Sequence, residues 1–316
     1  MSAAELVDVI AVGNVLGEGI QWNAVDGCAW WTDIQSRKLY RWHLASATLD
    51  NFCVPERAGS FAFIEGSDEL IVAFESGFAR YCPATGATHW VSRPEEGATG
   101  RRFNDGRADR QGRFWAGTMV ENRVAAGDRS GSLYCIDRRG QMTRHIGGIQ
   151  IFNGLCFSPD SRHCYFADSP TRHIFRFDFD IESGRLGSGE VFAQTPAGGF
   201  PDGAAVDCDG CVWSAQWGSG QVIRYTPSGR IDAILPVPTR QPSCVAFGGP
   251  DLDLLLVTSA REGLSQATLA AEPLAGNVFV FRTHRTGLAE PRYRNQSEQE
   301  CANRSEEHTS ELQSPI

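Results

Sequence analysis

Hydrophobic residues in this chain fall into short period-two runs, and the runs themselves recur as a phrase. An apolar strand opens on a small or polar residue, and an aromatic-rich strand follows about a dozen residues later. The openings are Glu18 (EGIQW), Ser60 (SFAFI), Asn104 (NDGRA), Asn153 (NGLCF), Asp202 (DGAAV) and Ser243 (SCVAF). The following strands centre on Trp30, Val72, Trp115, Tyr165, Trp213 and Leu255, a spacing of 42 to 50 residues. A third strand with aromatic alternation follows at 38–48, 77–87, 132–141, 173–184, 221–230 and 277–287. A weaker fourth is visible at 51–55, 89–93, 142–146, 189–193 and 231–237. This period, with four short strands per unit, predicts an all-β fold: a six-bladed β-propeller with four-stranded blades. The segment VDVIAV (7–12) has no blade before it. It is expected to supply the outer strand of the last blade, closing the ring and removing a sheet edge. Helical periodicity is absent apart from one possible turn at 263–270.

Composition narrows the class. A chain of 316 residues with 34 Gly and 15 Pro suits one large hairpin-rich β domain. The net charge of −9, without a basic cluster, argues against a nucleic-acid partner. The longest apolar run, LDLLLV (252–257), is too short for a membrane helix and reads as a buried strand. The N-terminus lacks the charged-then-apolar pattern of a secretion signal, so a cytoplasmic location with reduced cysteines is expected. From residue 295 the alternation stops. Residues 1–294 are expected to form the propeller. Residues 295–316 read as a polar tail whose RSEEHTSELQS resembles translated sequencing-adapter DNA, which sets Cys301 and His308 aside.

The repeat also says which distant residues should meet. Equivalent strand openings surround one channel, so the six openings form a ring at its mouth. Glu18, Asn153 and Asp202 offer hard oxygen donors, and Asn104 is a fourth polar member beside Arg102 and Asp105. Asp-Gly and Asn-Gly are also routine turn dipeptides, which is the plainer account of each one alone. Taken as a ring, two carboxylates facing each other repel unless a cation lies between them. Three side-chain ligands would leave positions for water and substrate. Ser60 and Ser243 are small enough to leave room for a bound molecule. Other constellations carry less. Cys208 and Cys211 have CxxC spacing but span a hairpin and lack a second ligand pair. No histidine falls on the inner ring, and no GxSxG elbow occurs. Trp217 suits either the site or the core.

Four segments, LGEGIQWN (16–23), RFNDGRADRQGRFWAGTM (102–119), FNGLCFSPD (152–160) and FPDGAAVDCDGCVWSAQWGSG (200–220), resemble the senescence-marker-protein/gluconolactonase/regucalcin-like family. The chain is most similar to its bacterial sugar-lactone lactonases. The resemblance implies one divalent metal ion (calcium, zinc, manganese, magnesium or iron(II)) on Glu18, Asn153 and Asp202. It implies substrate contacts from Arg102 and Asn104, and from Glu121 just after the GTM motif. The activity it implies is metal-dependent hydrolysis of an aldonolactone, with Asp202 as general base. L-arabinono-, D-xylono- and gluconolactone are the candidate substrates. Two alternatives stay open: a non-catalytic calcium-binding propeller on the same fold, and a hydrolase of another ester.

Overall fold

The computed structural model describes residues 4–127 and 130–296. Within them the repeated phrase becomes six four-stranded antiparallel sheets arranged as blades. Blade 1 runs outward through Gly17–Asn23, Cys28–Asp33, Lys38–His43 and Thr48–Cys53. The inner strands of blades 2 to 5 are Ala58–Phe63, Arg101–Ala108, Phe152–Phe157 and Phe200–Val206. Blade 6 takes three strands, Pro242–Gly248, Leu254–Ser259 and Val278–Thr283, from the end of the chain. Its outer strand, Ala4–Ile10, comes from the start and pairs with Val278–Thr283. Ring closure is therefore as the sequence predicts, with the closing strand beginning a turn's length earlier than VDVIAV. The run at 252–257 forms part of a fully buried strand. Among the described residues no helix is long and apolar enough to cross a membrane.

The helical turn expected at 263–270 is a short helix, Gln266–Ala271, capped by Ser265. A second, Arg123–Ala126, carries no sequence signal because four residues are too few to display a period. Most of the expected tail, residues 297–316, lies outside the described residues, as do Cys301 and His308.

Neighbouring blades share their cores. Trp22, Trp31 and Tyr40 of blade 1 pack with Ala246, Leu256 and Val280 of blade 6 in one buried cluster. In three blades a carboxylate near the preceding hairpin fixes a tryptophan of the second strand. Trp30 Nε1 donates to Asp26 at 3.1 Å, Trp115 Nε1 to Asp109 at 2.9 Å, and Trp213 Nε1 to Asp207 at 2.8 Å. Each pairing satisfies an indole N–H that burial would otherwise leave without a partner. The nine described cysteines are all free thiols, and Cys208 and Cys211 sit apart in character, one exposed and one buried.

The strand openings are not turns. In all six blades the pairing of inner and second strands shifts register beside the opening residue, as between Glu18 and Gln21 or Asn153 and Cys156. A bulge of this kind turns the side chain off the regular alternation and toward the channel. The glycines that follow serve it. Gly19 and Gly154 have φ of +59° and +66°. Gly203 has no room for a side chain, since a Cβ there would lie 2.4 Å from Cys244 Sγ. The x-Gly dipeptides that look like turn punctuation are therefore bulges that aim a side chain into the channel.

The opposite face of the ring is sealed by a strap. Residues after Thr283 cross beneath the channel, bridging Asp207 through Gly287 and Ile64 through Tyr293. Arg294 N and Gln296 N then donate to Gly112 O and Arg138 O. At the centre of the strap Glu290 pairs with Arg107 of the blade 3 inner strand at 3.3 Å, both side chains at least nine-tenths buried.

Candidate active site

The bulges of blades 1, 3, 4 and 5 converge on a cavity of about 410 Å³ at the open mouth of the channel. Glu18, Arg102, Asn104, Asn153 and Asp202 all line it, and all five are buried. The remaining ring members do not. Ser60 and Ser243 are fully buried and absent from the cavity wall. Ser243 Oγ bonds to Gly17 O and to Thr258, so this serine braces blade 6 against blade 1 rather than leaving space for a ligand.

A chain of hydrogen bonds sets the amide geometry. Arg102 Nη1 donates to Asn104 Oδ1 at 2.6 Å, and Asn104 Nδ2 donates to Asn153 Oδ1 at 2.7 Å. Asn153 Nδ2 donates to Ser169 Oγ at 2.9 Å, which passes its own proton to Pro201 O at 2.7 Å. Both amide nitrogens of Asn153 and Asn104 thus face protein, leaving the Asn153 oxygen with one lone pair toward the cavity. Ser169 was not legible in the sequence. It lies in a between-strand loop with no counterpart in the repeat.

The carboxylates are in an unfavourable electrostatic position. Asp202 Oδ1 is buried without a hydrogen-bond partner. Glu18 receives only its neighbour's amide, Gly19 N at 3.2 Å. Burial, with Asp105 adding negative charge below, pushes Glu18 up from the ordinary 4.5 to about 8. Burial and then the charge of Glu18 push Asp202 well above the usual carboxylate range. Asp105 itself is spent on the backbone: its oxygens accept from Gly106 N at 2.9 Å and Leu155 N at 2.8 Å. Two facing acids with an orphan oxygen, plus an amide oxygen, form a donor set suited to a hard divalent cation. Among the described residues no group of three His, Cys, Asp or Glu side chains converges anywhere else, or here, where the third donor is an amide.

Glu121 sits behind this wall instead of on it. Its Oε1 accepts from Arg57 Nη1 at 2.8 Å and from Arg102 Nε at 3.2 Å. Burial raises its affinity for a proton, but the two arginines outweigh burial and hold the carboxyl below its ordinary range. Arg102 Nη2 makes no hydrogen bond to the described residues and remains available to the cavity.

The cavity has two unlike halves. Toward blades 4 and 5 the lining is Ile151, Pro170, Phe200 and Trp217. Trp217, for which the sequence left core and site equally open, does both: it packs against the Leu16, Ile34 and Ala260 cluster and lines the cavity. Toward blades 6, 1 and 3 the lining is mixed, with Glu262 and Arg102 beside the apolar Leu16 and Met119, and a hydrogen-bonded arc runs beyond it. Gln35 Nε2 donates to Glu262 Oε1 at 2.5 Å, and Arg57 Nη1 reaches Gln35 Oε1 at 3.4 Å before bonding to Glu121.

The chain matches the family model described as SMP-30/Gluconolactonase/LRE-like region over residues 16–261. It is 37% identical to a 6-deoxy-6-sulfogluconolactonase of Pseudomonas putida, over 90% of this chain and 96% of that protein. It is 38% identical to an L-arabinolactonase of Azospirillum brasilense, over 89% and 92%. In structure it superposes on a calcium-binding protein, regucalcin, from Agrobacterium tumefaciens with a TM-score of 0.87 at 34% identity, covering 93% and 99% of the two chains.

Proposed function

This chain belongs to the SMP-30/gluconolactonase/LRE-like family, and from that premise we propose that it hydrolyses a sugar-acid lactone to the open aldonic acid with the help of a divalent cation. The observation that carries the reading is the pair of buried carboxylates, Glu18 and Asp202, facing one cavity with Asp202 Oδ1 unpartnered. Glu18, Asn153 and Asp202 would hold the cation. When bound, it supplies Lewis-acid polarisation of the lactone carbonyl and a lowered pKa for water.

The protein's own groups do the rest. Asp202 takes a proton from the attacking water as the water oxygen joins the carbonyl carbon. As the ring C–O bond breaks, the same carboxyl returns that proton to the leaving ring oxygen. Arg102 Nη2 orients a substrate oxygen and Asn104 Oδ1 accepts from a substrate hydroxyl, the Asn104 nitrogen being taken up by Phe152 O and Asn153, while Glu121 holds the Arg102 guanidinium in place through Nε. Phe200 and Trp217 take the C–H face of the ring and keep bulk water from one side. Pentonolactones such as L-arabinono- and D-xylonolactone are the first substrates to try, with gluconolactone next.

A panel of aldonolactones assayed by acid release, with chelator and with each divalent ion restored, tests the reading. Metal-restored opening of an aldonolactone supports it. Tight cation binding with no turnover of any lactone would instead make the protein a binding propeller. Turnover of simple esters alone would move it to another hydrolase class.

A further inference from the structure

Glu262 is a cavity-lining carboxylate that neither the cation site nor the reaction uses. It lies in the blade 6 loop that follows Leu254–Ser259, three blades from Arg102 and so across the mouth from it. Its backbone is pinned: Glu262 N donates to Val15 O at 2.9 Å, and Gln241 Nε2 donates to Glu262 O at 3.2 Å. Its side chain is half-buried and makes no ion pair with the described residues. Oε1 accepts from Gln35, and Oε2 has no hydrogen-bond partner among the described residues.

The cavity's charges are otherwise answered. Glu18 and Asp202 face the cation they are proposed to hold, and Arg102 is matched by Glu121 at 3.2 Å. Glu262 is the negative charge left facing whatever enters. A carboxylate with a free, fixed oxygen accepts a hydroxyl hydrogen well and meets an anionic substituent as a like charge in a partly desolvated pocket.

We propose that Glu262 is a specificity-determining residue that selects neutral polyhydroxy lactones, accepting a ring or side-chain hydroxyl on Oε2, and rejects lactones bearing a carboxylate or sulfonate. The inference rests on the lactonase reading and deepens it. It also separates this chain's preference from that implied by the name of its sulfogluconolactonase relative.

The test compares the metal-restored protein on a neutral aldonolactone and on the same ring carrying a terminal carboxylate or sulfonate. The wild type should favour the neutral lactone in kcat/KM by about tenfold or more, the scale of one like-charge contact near a protein surface. Glu262→Gln should raise KM for the neutral lactone several-fold with kcat nearly unchanged, and improve the anionic one, narrowing the ratio. Glu262→Lys should reverse it. Equal or better turnover of the anionic lactone by wild type, or an unchanged ratio in Glu262→Gln, would overturn the proposal. Calorimetric binding of a neutral aldonolactam and its anionic counterpart gives the same ratio without chemistry. If no lactone opens, the lactonase reading fails, and the lactam ratio still decides the role of Glu262.

Discussion

The two mouths of the channel are built from the same six inner strands, yet they treat buried charge in opposite ways. At the open mouth Glu18 and Asp202 are two buried acids facing each other, burial and mutual repulsion disfavouring charge on both, and an Asp202 oxygen has no partner. At the sealed mouth Arg107 faces Glu290, opposite charges at 3.3 Å, under a strap that leaves a cavity of only about 30 Å³. Burial works against the Arg107 charge, but its surroundings, Glu290 foremost, outweigh it and keep the guanidinium firmly protonated. Unpaired like charges are costly to fold, so their presence marks a place where something else is meant to bind. Paired charges under a lid mark a place where the ring is held shut. One fold thus separates function from closure along a single axis.

This contrast can be broken most severely at the open mouth. Asp202→Ala is expected to lower lactone opening by about 10³-fold or more while the circular dichroism of the propeller is unchanged. Near wild-type turnover in that variant would remove Asp202 from the mechanism. Chelation should have a comparable effect, reversed by restoring a divalent ion.

Stability against pH sharpens the same point. In the chelated protein Glu18 holds its proton up to about 8, against 4.5 when unfolded. The folded state therefore binds the extra proton, and stability falls as pH rises from about 4.5 to about 8. A saturating divalent cation should abolish that fall, because it stabilises the ionised pair. Thermal melts across this range decide it: identical pH profiles with and without cation would mean the two carboxylates are not its ligands.

The sealed mouth should respond in stability alone. Glu290→Gln leaves Arg107 buried without its counter-charge, an expected loss of about 3 kcal/mol in denaturant melts with kcat/KM unchanged. Replacing both partners with leucine should recover most of it. A large drop in kcat from Glu290→Gln would show that the two mouths are coupled after all. The smallest effect is expected from Arg102→Lys, which keeps the charge but loses the fork that joins Asn104, Phe103 O and Glu121. A rise in KM of about tenfold, with a smaller change in kcat, is the outcome to look for.

Much of this was legible in the chain. The fold followed from a period of 42 to 50 residues, because each blade must present the same apolar faces to two identical neighbours. The polar ring at the open mouth followed from the same alignment, since equivalent positions in a closed ring are neighbours however far apart in sequence. Local chemistry alone says less than the alignment does. Glycine after Glu18 and Asn153 looks like turn punctuation, yet it sits in a bulge with positive φ inside a strand. Ser60 and Ser243 share the ring's register but lie behind its wall, which depends on how far each bulge projects.

Sequence periodicity alone therefore determined the architecture, the closure by an N-terminal strand, and the gathering of Glu18, Asn104, Asn153 and Asp202 at one mouth, while Arg102 was singled out by the resemblance of its RFNDG segment to the family. The ring positions obey the repeat, and repetition can be read without coordinates. Tertiary structure alone decided what the repeat does not contain. Ser169 and Glu262 come from segments between strands, and only the fold shows that Phe200 and Trp217, paired at the ends of the first two strands of blade 5, present their rings to the cavity. Glu121 reaches Arg102 from the next strand, and Glu290 finds Arg107 from nearly two hundred positions away. Their places are set by loop length and by where an aperiodic chain comes to rest. No hydrophobic pattern encodes that.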